Sequence, residues 1–126
     1  MIYFLSKNYT LRHFVRQKTS FLQGDVVVGS LTDPEAVDKA VAGATIIVHC
    51  AAILDAHDPD IININVKGTE LLVHAAKKHK IKQFIFISTD KTVYHTSAMA
   101  ATKLLCEKLV LNTRLFNSNT KFSCAR

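Results

Sequence analysis

With 126 residues, 48% of them apolar, and a mean hydropathy of +0.15, the chain has room for one core-forming domain and lacks the composition of a disordered segment. Sixteen basic against ten acidic residues give a formal charge of +6. The lysines are scattered (Lys77, Lys78, Lys80, Lys82, Lys91, Lys103, Lys108) without interleaved aromatics, which fits solvated helix faces and an anion site better than a nucleic-acid surface. No apolar run approaches the roughly 18–20 residues of a membrane span. Met1-Ile-Tyr-Phe-Leu5 is too short for a signal sequence and lacks a basic start. Cys50, Cys106 and Cys124 have no metal-ligand or Cys-x-x-Cys spacing, as expected of reduced thiols in a cytoplasmic protein that binds neither membrane nor nucleic acid.

Ile2-Tyr-Phe-Leu5 reads as a short strand that ends in the turn Ser6-Lys-Asn8. Leu11, Phe14 and Val15 recur at helical spacing behind Thr10, which predicts a short helix presenting Arg12, His13 and Arg16 outward. Val26-Val-Val-Gly29 is a continuous apolar run, a strand buried on both faces. Asp33 before Pro34, with Glu35 in the first turn, predicts a helix start that closes at Ala42-Gly43. Thr45-Ile-Ile-Val-His49 is the next strand and runs into Cys50-Ala-Ala52, where small residues allow backbone and ligand to approach closely. His49 has no second ligand at usable spacing and is expected to be packed at its strand end. Asp55-Ala-His-Asp-Pro-Asp60 is acidic enough to suggest a cation, but nothing else completes an oxygen cage, so no metal is expected.

A long helix is predicted from about Asp60 to Lys78. Gly68 in its interior costs about 0.5–1 kcal/mol relative to alanine, which implies a packing reason for it. Gln83-Phe-Ile-Phe-Ile-Ser88 is the central strand, and polar residues appear abruptly at its carboxyl end, the edge where open α/β sheets bind ligands. Ser88, Thr89, Asp90 and Lys91 place two hydroxyls, a carboxylate and an ammonium side by side. Ser97 is the expected N-cap of the following helix, on which Met99 and Lys103 share a face. The alternation of strands and helices, with no repeat or linker, predicts a single α/β domain over 1–126: a parallel sheet with helices on both faces.

Ser88-Thr-Asp-Lys91, followed by Val93-Tyr-His-Thr-Ser-Ala-Met99-x-x-x-Lys103 and Glu107-Lys-Leu109, resembles the extended short-chain dehydrogenase/reductases. The likeness is greatest to the UDP-N-acetylglucosamine 4,6-dehydratase group of polysaccharide-biosynthesis enzymes. Its members carry Ser-Thr-Asp-Lys and then a Tyr-x-x-x-Lys pair, and some replace that tyrosine with methionine, as at Met99 here. Asn65-Val-Lys-Gly-Thr69 also matches the family's Asn-Val-x-Gly-Thr. The resemblance covers nearly the whole chain, while the chain covers less than half of the family's enzyme.

The resemblance implies an incomplete NAD(P)-binding Rossmann fold. The glycines are Gly24, Gly29, Gly43 and Gly68, and they do not form the Gly-x-Gly-x-x-Gly loop that holds a pyrophosphate. By resemblance the first strand and its glycine-rich loop are missing, along with the part that binds the sugar nucleotide. The missing strand belongs mid-sheet, between the strands at Ile2 and Thr45. The cofactor-binding residues implied are Ser30, Leu31, Ala51, Ala52, Ser88 and Lys103. Ser30 stands where the family has an adenine-binding aspartate, and Ser6 and Lys7 would lie near the adenosine ribose.

The catalytic residues implied are Thr89, Asp90, Lys91 and Lys103. Lys91 is the base for the C5 proton of the sugar, Asp90 the acid for the departing hydroxyl, Thr89 a hydrogen-bond partner of the O4 region, and Lys103 the contact to the nicotinamide ribose. A lysine base needs its pKa lowered towards neutrality. Met99 cannot take the O4 proton as the usual tyrosine does, and Tyr94, nine residues before Lys103, has the wrong spacing to replace it. The function implied is a fragment of a UDP-sugar 4,6-dehydratase, a lyase of surface-polysaccharide synthesis. A non-catalytic remnant or binding module of the fold, and another extended epimerase or reductase, are the alternatives. A UDP-sugar is the expected substrate of the full-length family, and a homo-oligomer is left open.

Overall fold

Two parallel ladders carry the fold. The structure, a computed structural model, describes residues 8–22, 24–94, 97–113 and 119–126. Strand β1 (Arg12–Val15) pairs in parallel with β2 (Asp25–Val28), and Phe14 stands opposite Val27. Strand β3 (Ile46–His49) pairs in parallel with β4 (Gln83–Ile87), and β4 with β5 (Lys121–Ala125). Among the described residues no ladder joins β1 to β3. The two ladders are therefore separate among the described residues; the resemblance places a missing strand between the strands at Ile2 and Thr45.

Strand β1 differs from the expectation. Arg12–Val15 forms a strand, where a helix carrying Leu11, Phe14 and Val15 was expected. Leu11, Phe14 and Val15 have helical spacing, but five residues are too few to hold a helix against pairing with Asp25–Val28. Arg12 ties β1 into place: Nε donates to Asp25 Oδ2 at 2.5 Å and Nη1 to Ala42 O at 2.6 Å. The strand expected at Ile2–Leu5, with Ser6 and Lys7, lies outside the described residues.

Helix α1 (Pro34–Val41) begins as the sequence predicts. Asp33 accepts from the Glu35 and Ala36 backbone N–H groups, and proline occupies the first turn. It closes at Ala42, and Gly43 turns away with φ +75°, a conformation that side chains rarely adopt. Helix α2 (Gly68–Lys78) is preceded by a π-helical turn over Asn63–Lys67, so the stretch expected as one uniform helix is widened midway. The expected packing reason for Gly68 is present, though its neighbour is a loop and not the sheet: a Cβ there would lie 2.9 Å from Leu31 Cβ. Helix α3 (Ala98–Thr113) starts behind Ser97, whose Oγ accepts the Ala100 N–H at 3.2 Å.

Phe84, Phe86 and Phe122 are fully buried on one sheet face, against Val37 and Val41 of α1, Leu72, Val73 and Ala76 of α2, and Cys106 and Val110 of α3. The opposite face carries Ile46 and Val48, 40% and 42% exposed, beside half-buried Ile85 and Ile87. The described helices thus share one core, and the carboxyl ends of β3, β4 and β5 form one edge above it.

Candidate functional site at the carboxyl edge of the sheet

Strand β4 ends at Ile87, and Ser88 to Lys91 leave the sheet there. Ser88 is still held by its neighbour, its N–H donating to Ala125 O at 2.7 Å. A 3₁₀ turn over Asp90–Tyr94 follows. Thr89 organises its start: its Oγ1 donates to Asp90 Oδ1 at 3.1 Å and accepts the Lys91 N–H at 3.3 Å, while its carbonyl accepts from Thr92 Oγ1 at 2.8 Å. The exposed side chains of Asp90 and Lys91 therefore emerge side by side on the wall of an open cleft of 520 Å³. Val93, Tyr94, Ser97 and Ala100 complete its lining.

Lys103 comes from α3 to the same strand end. Its Nζ donates to Ile87 O at 2.8 Å and stands 4.6 Å from the centre of the Phe86 ring, a cation–π distance. Only 6% of the residue is exposed, and burial lowers its pKa. Met99, one turn earlier, is half-buried. The remaining candidates lie along the same edge. Ala51 (exposed) and Ala52 (half-buried) follow β3, and Ser30 and Leu31 follow β2. The Ser30 hydroxyl is engaged within its own turn, 2.8 Å from Thr32 Oγ1, and Leu31 packs under Gly68. Lys103 reaches Ile87, the residue just before Ser88 to Lys91, whereas Ser30 and Leu31 stay in the other ladder's loop.

Three buried polar residues that the sequence reading did not assign to a site support this edge. Asn65 is 2% exposed. Its Oδ1 accepts the Ile53 N–H at 2.7 Å, and its Nδ2 donates to Ile53 O at 3.0 Å and Thr102 Oγ1 at 3.1 Å, fixing the loop after Ala52. Thr69 Oγ1 donates to Asn65 O and lies 2.9 Å from His49 Nε2. Glu107 joins Arg126 in a bidentate pair at 3.0 and 2.7 Å, and that guanidinium holds its carboxyl below the usual range. The advance signals were the family-like runs Asn65-Val-Lys-Gly-Thr69 and Glu107-Lys-Leu109, and an asparagine and a threonine inside a helical pattern, where such residues are poor formers.

His49 is packed as expected. Burial first, and then the Lys103 charge, lower its pKa to about 4. An unfolded histidine titrates near 6.5, so as pH falls from about 6.5 to about 4 the unfolded chain takes up a proton that the folded chain refuses. Stability should therefore drop by about 3 kcal/mol across that window, and His49→Gln should remove that part of the slope in denaturant titrations at pH 4 and 7. An unchanged slope would contradict a neutral buried imidazole.

A larger groove of 690 Å³ runs between α1 and α2, far from these groups in the chain. Its wall residue Asp38 is occupied by Lys78 Nζ at 2.7 Å and by His79 Nε2 at 2.8 Å, so it presents a paired surface and not an open site. Among the described residues no cluster of His, Cys, Asp and Glu could hold a metal ion.

The edge at β3 and β4 fits the nicotinamide-riboside half of a dinucleotide. It offers a buried ammonium and small residues at the β3 end. It does not fit the pyrophosphate, because none of the four glycines forms a cradle. Residues 2–126 match the model of the family described as polysaccharide biosynthesis protein. The chain belongs to that family.

Within this polysaccharide-biosynthesis family the known relatives are longer. An uncharacterized membrane protein of Methanocaldococcus jannaschii is 33% identical over 106 residues, which are 79% of this chain and 32% of that protein. A UDP-glucose 4-epimerase of Rickettsia rickettsii is 33% identical over 103 residues, 77% of this chain and 30% of the epimerase. The chain thus spans about a third of these relatives. A solved short-chain dehydrogenase/reductase superfamily protein of Agrobacterium tumefaciens, with bound NAD, superposes with a TM-score of 0.87 at 26% identity. It matches 99% of this chain and 44% of that one. Among the described residues no helix is long and apolar enough to cross a membrane.

Proposed function

We propose that residues 1–126 are a partial dinucleotide-binding domain carrying the acid–base edge of a NAD(P)-dependent UDP-sugar 4,6-dehydratase of polysaccharide synthesis. One observation carries the reading: Asp90 and Lys91 lie side by side on a cleft wall at the strand end that Lys103 grips from below. When bound, the nicotinamide supplies reversible hydride transfer. Lys103 keeps two of its ammonium hydrogens for the nicotinamide ribose, and Ser88, Ala51 and Ala52 border the same space. Thr89 steadies the sugar near O4. Lys91 Nζ takes the C5 proton, Asp90 gives a proton to the departing C6 hydroxyl, and the C5–C6 double bond forms as water leaves. Ser30 and Leu31 stand on the adenosine side. The free thiols Cys50, Cys106 and Cys124 suit a reducing, cytoplasmic setting.

The paired acid and base favour elimination over epimerisation, since inverting C4 moves no C5 proton. The test uses a full-length protein that contains this segment, with UDP-N-acetylglucosamine in heavy water. Elimination should yield a 4-keto-6-deoxy sugar carrying solvent deuterium at C5. Asp90→Asn and Lys91→Ala should each slow it by about 10²–10⁴ while leaving NAD affinity unchanged. An epimerised sugar without deuterium, or variants that keep most of their kcat, would overturn the assignment.

A further inference from the structure

We propose that Glu107 is the positioning residue of this edge, a buried carboxylate that fixes where Thr89 to Lys91 leave the sheet. Helix α3 turns an unusual face inward. Thr102, Lys103 and Glu107 are buried at 3%, 6% and 4% exposure, while Leu105 is 53% exposed. Buried charges persist only where partners satisfy them. Lys103 and Glu107 are four residues apart and project from one side of the helix. Lys103 Nζ holds Ile87 O, the last carbonyl of β4.

Glu107 holds the positions on either side of the segment. On one side its carboxylate clamps Arg126 with two hydrogen bonds, at the end of β5. The adjacent Ala125 carbonyl accepts the Ser88 N–H. On the other side Glu107 Oε1 lies 3.4 Å from Thr92 Oγ1, the hydroxyl that closes the turn onto Thr89 O. Ser88 and Thr92 bracket Thr89, Asp90 and Lys91, and both brackets rest on the same carboxylate. The consequence for catalysis rests on the acid–base roles proposed above; the placement of the segment does not.

The test measures placement directly in the 126-residue chain. Wild type, Glu107→Gln and Thr92→Val are compared by hydrogen exchange of the peptide covering 88–94. The rate of Lys91 acylation by acetic anhydride, relative to exposed Lys67, is read alongside by mass spectrometry. Both variants should exchange at least tenfold faster in 88–94 and change the Lys91 to Lys67 ratio at least threefold, while exchange in 71–76 of α2 stays unchanged. Thr92→Val keeps the Arg126 clamp but also loses the bond to Thr89 O, so it is read against Arg126→Gln. Arg126→Gln removes the clamp alone, should loosen 88–94 in the same direction, and decides the matter if Glu107→Gln does not fold. A lower melting temperature with an unaltered 88–94 peptide and Lys91 ratio would reduce Glu107 to a structural ion pair and overturn the inference. No sugar or cofactor enters the measurement, so failure of the dehydratase reading would leave its outcome unchanged.

Discussion

Mixed with NAD and UDP-N-acetylglucosamine, the 126-residue chain is expected to release no 4-keto-6-deoxy sugar above background. Pyrophosphate is held chiefly by backbone N–H groups of a glycine-rich loop at a helix N-terminus. Gly24, Gly29, Gly43 and Gly68 are too dispersed to form one. A hydrogen bond to a charged group contributes about 1.5–3 kcal/mol, so losing even three weakens cofactor binding by several kcal/mol, a factor of roughly a thousand or more. In the roles proposed for them, Asp90, Lys91 and Lys103 cannot act on a sugar whose hydride acceptor is not held. Product formation measured by mass spectrometry, with Lys91→Ala as control, checks this. Turnover by the wild-type chain that disappears in Lys91→Ala would show that the cradle is dispensable.

The second large effect concerns the opening between β1 and β3. Each has a single hydrogen-bonded neighbour among the described residues, so within those residues each has one unpaired edge. Those backbone groups can bond water, which spares the chain the 1–3 kcal/mol per group of buried, unsatisfied edges. It can therefore fold, yet it offers a template for another copy. Ile46 and Val48 add apolar surface beside that edge, and covering two such half-exposed side chains gains about 1 kcal/mol each. The chain should elute larger than a monomer in size-exclusion chromatography and exchange amide hydrogens faster in β1 and the outer edge of β3 than in β4. Val48→Lys, which puts a charge on the edge, should shift it towards monomer. A monodisperse wild-type monomer with strong protection along Arg12–Val15 and Ile46–His49 would show that the opening is closed.

Much of the fold was legible in the residues themselves. Asp33-Pro34-Glu35 carries its own helix start, since cap, proline and acidic first turn act within four residues. Gln83 to Ile87 has enough β-branched and aromatic residues to specify a buried strand. The Ser88 to Lys91 cluster was visible because its chemistry is contiguous, and the strand end before it gave the position. Arg12 to Val15 was not legible as a strand, because Leu11, Phe14 and Val15 have helical spacing and only pairing with Asp25–Val28 overrides it.

What the sequence alone determined is what short-range chemistry determines: the caps, the positions of β2 to β4 and the row of reactive groups after β4. Burial of these strands on both faces was expected, but Val28, Ile46 and Val48 are exposed. Only the tertiary structure decided that Arg12–Val15 is a strand, that Asn65 holds Ile53 across twelve residues, and that Glu107 reaches Arg126 nineteen residues away. Those choices depend on partners far apart in the chain. A buried asparagine or glutamate is stable only beside the groups that satisfy it, and local pattern cannot identify a partner that folding brings from elsewhere.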